Sequence, residues 1–110
     1  LHARTIAVCV LDRGGVTRVE RTIPRDLDRL LALLAPFRDG LTVGVEASGE
    51  GHWLTDRCHA EGIPCRVGNP QRIRRVAHLA KTDRHDAALL ARLLRGGLFP
   101  AVWECPPHLR

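Results

Sequence analysis

Three carboxylates and the bases around them are the residues best placed by type and spacing to do chemistry. Glu46 closes the apolar run Leu41-Thr42-Val43-Gly44-Val45, and the small residues Ala47-Ser48-Gly49 follow it. A carboxylate at the carboxyl end of a buried strand lies where α/β folds take their ligands. The same acid also suits a strand end that simply meets water. Asp83 and Asp86 stand three apart in Lys81-Thr82-Asp83-Arg84-His85-Asp86, so at a helix start they share one side. Two such carboxylates repel unless a cation or water lies between them, and a hard divalent ion such as Mg²⁺ takes oxygen ligands of this kind. Asp83 equally suits an N-cap, and Asp86 an acid favoured by the helix dipole. Between residues 66 and 84, Arg66, Arg72, Arg74, Arg75, Lys81 and Arg84 are opposed only by Asp83. The stretch suits a solvated face. Beside an acidic pair it also suits phosphodiester chemistry, with acids for metal and bases for phosphate.

Other polar residues carry less. His2, His52, His59, His78 and His108 share no spacing with acids or cysteines, while His85 lies inside the acidic motif. Ser48 has no base placed beside it, so a small turn residue is the simpler assignment. Cys9, Cys58, Cys65 and Cys105 form no CxxC pair. Cys58, His59, Cys65 and His52 can be drawn as a zinc site, but their spacing fits no common pattern. Buried, reduced thiols in a cytosolic protein are expected instead.

The elements that must position these groups follow from the pattern. Thr5 to Leu11 and Val16 to Ile23 predict a hairpin around Asp12-Arg13-Gly14-Gly15, with Pro24 breaking the sheet. Asp26 to Ala35 predicts a helix with Leu27, Leu30, Leu31 and Leu34 on one stripe, ended by Pro36. Leu41 to Glu46, Gly51 to Glu61 and Pro64 to Gly68 predict a parallel strand–helix–strand unit. Asn69-Pro70 turns the chain into the basic stretch. Asp83 to Arg95 predicts a helix with Ala87, Leu90, Ala91 and Leu94 on its stripe, stopped by Gly96-Gly97. Pro100, Pro106 and Pro107 give residues 98–110 the look of a linker. This order predicts an α/β fold with a mixed sheet and is similar to that of ribonuclease H-like domains, with two opening strands where such folds usually have three.

The 110 residues suffice for one domain, and 45% hydrophobic residues suffice for a core. No run approaches eighteen apolar residues, which excludes a membrane-spanning helix, and no charged-then-apolar leader opens the chain. The formal charge of +5 lies wholly in residues 56–110, since residues 1–55 balance seven bases against seven acids. Sixteen of the seventeen bases are Arg, the side chain suited to bidentate phosphate contact. Nucleic acid is the natural partner class. With Phe37, Trp53, Phe99 and Trp103 as the only aromatics, a single-strand binder that stacks bases on rings is disfavoured. The chain has no Met and begins at Leu1, as expected of a processed product, an excised piece or a fragment.

Val45-Glu46-Ala47-Ser48-Gly49, followed by Lys81-Thr82-Asp83-Arg84-His85-Asp86-Ala87, resembles the amino-terminal domain of DEDD transposases. These insertion-sequence recombinases are related to the Piv and MooV invertases and include bridge-RNA-guided members. The family pattern is VEA(T/S)G, about thirty-five residues, then KTDxxDA; Asn69-Pro70 before a basic helix and Leu11-Asp12 also fit. The resemblance implies a RuvC-like fold of the ribonuclease H-like group, over residues 1–97. It implies divalent metal, Mg²⁺ with Mn²⁺ as an alternative, held by Glu46, Asp83 and Asp86. Arg72, Arg74, Arg75, Lys81 and Arg84 would hold nucleic-acid backbone. It further implies DNA and a guide RNA as partners, a homo-oligomer in the full-length protein, and the cytoplasm of a bacterium or archaeon.

The resemblance departs at the start. The family's first acid is expected immediately before Leu1, and Asp12 is no substitute by position. A carboxyl-terminal domain that supplies a serine for strand exchange is expected beyond residue 110. The 110-residue chain by itself is therefore expected to lack recombinase activity. A structure-selective nuclease of the junction-resolvase type and a non-catalytic nucleic-acid-binding module with the same fold are the alternatives.

Overall fold

The computed structural model describes residues 5–46, 52–79 and 87–101. Strand β1 (Thr5–Leu11) pairs antiparallel with β2 (Thr17–Pro24), from Thr5 opposite Pro24 to Val10 opposite Val19. The register shifts after Val10, so that Leu11 meets Thr17. The turn between them is closed by Asp12: its backbone exchanges bonds with Val16 and Gly15, and its Oδ1 accepts from the Val16 N–H at 2.9 Å. Pro24 ends the strand instead of preceding its end. Pro is tolerated there because β2 is an edge strand among the described residues.

Helix α1 (Leu27–Leu34) begins where the sequence predicts, because Asp26 Oδ1 accepts from the N–H groups of Asp28 and Arg29 at 3.0 and 3.3 Å. Leu30 and Leu34 are buried, and a single 3₁₀ turn, Ala35–Phe37, carries Pro36 and ends the helix. Strand β3 (Val43–Glu46), helix α2 (His52–Ala60) and strand β4 (Cys65–Gly68) form the expected parallel unit, with Glu46 opposite Gly68.

The basic stretch is a helix, α3 (Pro70–Leu79). Asn69 caps it by accepting from the Arg72 N–H at 3.1 Å, and Pro70 takes the first helical position, where its missing N–H is not needed. Helix α4 is described as Ala87–Arg95. It ends because Gly97 takes a positive φ of 72°, which lets the Leu98 N–H return to the Leu93 carbonyl at 2.9 Å.

The layers follow from the period of two along a strand. A Cβ on Gly44 would lie 2.5 Å from a methyl of Leu94, and one on Gly68 would lie 2.7 Å from Ile73 and 2.8 Å from Phe99. The glycine side of β3 and β4 therefore lies against α3, α4 and Phe99. The valine side (Val43, Val45 and Val67) packs with Leu30 and Leu34 of α1 and Leu54 and Cys58 of α2.

The described strands form two two-stranded sheets, β1–β2 antiparallel and β3–β4 parallel, where the sequence predicts one mixed sheet. Local patterns specify strands but not the pairing of strands distant in sequence. Residues 99–101, within the stretch the sequence predicts as a linker, lie against the domain. Phe99 is buried, Ala101 bridges Gly68, and the Asn69 N–H donates to the Pro100 carbonyl at 2.9 Å. Burial of the Phe99 ring outweighs the chain-breaking prolines around it.

Candidate metal and nucleic-acid site

Glu46 occupies the last position of β3 and is half-buried. It shares strand parity with Gly44, so it belongs to the side of the sheet covered by α4. There it lines a cleft of about 960 Å³ together with Arg66 of β4 and Ala87, the first described residue of α4. Asp83 and Asp86, with Lys81 and Arg84, lie outside the described residues. Asp86 nonetheless precedes Ala87 directly in the chain, so the acidic motif enters α4 at the residue that shares Glu46's cleft.

Asp12 also lines this cleft, but it is committed elsewhere. Its Oδ1 closes the β1–β2 turn, and its Oδ2 lies 3.8 Å from Arg18. Among the described residues no three His, Cys, Asp or Glu side chains come together as a metal cluster. Glu46 is a hard oxygen donor of the class that Mg²⁺ takes. One carboxylate does not make such a site, so the fit depends on acids from the motif ahead of Ala87.

The basic residues divide by surroundings. Arg72, Arg74 and Arg75 are exposed on α3, while Ile73 and Ala77 bury the helix's other side. None of the three makes an ion pair with a described acid. Arg66 is exposed at the cleft beside them in sequence. The other arginines with described partners are structural. Arg57 bonds Asp28 of α1 at 2.8 Å and Glu61 at 3.3 Å, contacts that raise its pKa further above the ordinary guanidinium range. Arg38 donates to the Glu61 carbonyl, and Arg95 donates to the Arg13 carbonyl at 3.1 Å, tying α4 to the β1–β2 turn. Little in the local sequence distinguishes these tethered arginines from those without a described acidic partner: Arg57 has Glu61 four residues on, but the other partners lie 23 to 82 residues away.

The thiols behave as core groups. Cys58 is buried at the end of α2, and a hydrogen bond with Cys65 draws its pKa down against the opposing effect of burial. His59 is exposed beside it.

The family model DEDD_Tnp_IS110, described as a transposase, matches residues 1–104. No curated protein and no solved structure matches the chain. Transposases of this kind are DNA-processing enzymes that depend on divalent metal. The family match covers both motifs and every described element, and the chain belongs to the DEDD transposase family of insertion sequences.

Proposed function

We propose that these residues form the RuvC-like, ribonuclease H-like catalytic domain of an insertion-sequence transposase, in which Glu46, Asp83 and Asp86 hold Mg²⁺ or Mn²⁺ at the DNA strand to be cut. The observation that carries this reading is that Glu46, at the end of β3, and Ala87, at the start of described α4, line the same cleft, and the two acids of the motif lie within four residues of Ala87 in the sequence. When bound, the metal would stabilise charge on the phosphoryl oxygens and on the attacking and leaving oxygens.

The chain's own residues do the rest. Gly44 and Gly68 let α4 and Phe99 close onto the sheet, which fixes the end of β3 that carries Glu46. Arg72, Arg74 and Arg75 on the outer side of α3, with Lys81 and Arg84, bind backbone phosphates and orient the nucleic acid along the cleft rim. DNA is the substrate, and a guide RNA would use the same phosphate-binding side chains.

Calorimetric titration of Mn²⁺ into the wild type and into Asp83→Asn tests the reading. Binding that weakens by about tenfold or more in the variant supports a metal site. Equal heats in the two proteins would favour a nucleic-acid-binding module that keeps the fold without the chemistry.

A further inference from the structure

Two thiols meet on the valine side of the β3–β4 sheet. Leu54 and Cys58 are four apart on α2 and both are buried, so they share the side of the helix that faces the sheet. Cys65 and Val67 are two apart on β4, so they share the side of the strand that faces α2. Cys58 and Cys65 pack in one cluster, and a side-chain hydrogen bond joins them. Neither lines the cleft of Glu46. The backbone between them is held as well. The Glu61 and Ile63 N–H groups donate to the Cys58 carbonyl at 3.2 and 2.8 Å, and Gly62 takes the positive φ of 73° that this helix end requires. Cys65 then enters β4 opposite Val43. Both sulfurs therefore project from fixed backbone. They differ in access: Cys58 is 1% exposed, whereas Cys65 is half-buried between the exposed Pro64 and Arg66.

We propose that Cys58 and Cys65 form an oxidation site, a dithiol that hydrogen peroxide converts to a disulfide between α2 and β4. The Cys65 sulfur, the one a small oxidant reaches, attacks the O–O bond; it becomes a sulfenic acid and one water leaves. The Cys58 sulfur then attacks the Cys65 sulfur. The S–S bond forms, and the sulfenic hydroxyl departs with the Cys58 proton as a second water. The two thiols together lose two electrons and two protons, and the peroxide takes up both. Contact with Cys65 holds the Cys58 thiol below the ordinary cysteine value against the pull of burial, which favours the attacking thiolate. The division of access suits this order. The reachable sulfur meets the oxidant, and the shielded one resolves it before more peroxide carries Cys65 to a sulfinic acid. The bond would tie α2 to the strand whose pairing with β3 sets Gly68 opposite Glu46. The proposal does not rest on the metal site.

Peptide mapping of the complete protein tests it. Trypsin cuts after Arg57 and Arg66, so residues 58–66 leave as one peptide that holds both cysteines. After peroxide treatment and alkylation in denaturant, this peptide should carry no alkyl group and weigh about 2 Da less than its reduced form. Dithiothreitol before alkylation should restore two alkyl groups. In Cys58→Ser, peroxide should leave oxygen on Cys65, because no thiol resolves the sulfenic acid. If that variant does not fold, glutathione redox mixtures test the wild type instead: the disulfide should be favoured about tenfold or more in the folded protein over the protein in urea. Three results would overturn the proposal. The first is a doubly alkylated peptide after peroxide. The second is oxygen on Cys65 of the wild type with no disulfide. The third is the same glutathione equilibrium in folded and unfolded protein, which would leave the pairing to nearness in sequence alone.

Discussion

The two faces of the sheets are built to different ends. The face under α1 and α2 gathers eleven buried apolar residues, and its surface charges are tethered to one another: Arg57 to Asp28 and Glu61, Arg38 to Glu61. The face under α3 and α4 gathers five. Its exposed arginines on α3 lack acidic partners among the described residues, and an acid, Glu46, stands at its cleft. An arginine held by a neighbouring carboxylate has little left to offer a phosphate, whereas one held by water exchanges that water readily. The first face maintains the fold, and the second is the face we propose presents charge to nucleic acid.

The strongest way to break this contrast is at Glu46. In the complete transposase, Glu46→Gln should lower DNA strand cleavage by about 100-fold or more. The unfolding free energy should stay within about 0.5 kcal/mol, because the side chain is only half-buried. Cleavage assays beside urea unfolding check both halves, and a large loss of stability with cleavage retained would reverse the assignment. Leu30→Ala, on the other face, should do the opposite. Leu30 is 4% exposed, and its truncation should cost about 2–5 kcal/mol in urea unfolding, with DNA affinity unchanged while the protein remains folded.

The arginines sharpen the contrast. Replacing Arg72, Arg74 and Arg75 together by Ala should reduce the slope of log affinity against log salt by about 2 to 3, measured by fluorescence anisotropy with duplex DNA. Thermal stability should barely move. Arg57→Ala should have the smallest effect: Asp28 is exposed and the Arg57 and Glu61 side chains are more than a third exposed, so neither the salt slope nor the melting midpoint should change measurably. A salt slope that fell as much for Arg57→Ala as for the α3 variant would erase the distinction between tethered and free arginines.

How much of this is legible in the sequence depends on the range of the interaction. The β1–β2 hairpin, α1 and its Asp26 cap, and the β3–α2–β4 unit are local, written in β-branched runs, a leucine stripe and glycine stops. The helical nature of the basic stretch is carried by Ile73, Val76 and Ala77, whose apolar side is easily overlooked among three arginines. The division of the sheet is not legible, because nothing in β1 or β3 records which strand lies on its second edge. Nor is the burial of Phe99, which depends on the space left by Gly44 and Gly68. Glu46 is legible as a candidate because an acid that ends an apolar run is conspicuous. That it shares a cleft with Ala87 is not, since 41 residues separate them and only the packing of α4 puts both on one lining.

The central claim is that one metal ion lies between the end of β3 and the motif leading into α4. Paramagnetic broadening by Mn²⁺ in amide spectra of the transposase measures it most directly. The account predicts early, selective loss of the Glu46 and Ala87 signals, with those of Asp28 and Glu61 in the tethered network untouched, and restoration of both signals in Asp83→Asn. Broadening centred on Asp28 and Glu61, or broadening at Glu46 that persists undiminished in Asp83→Asn, would contradict it.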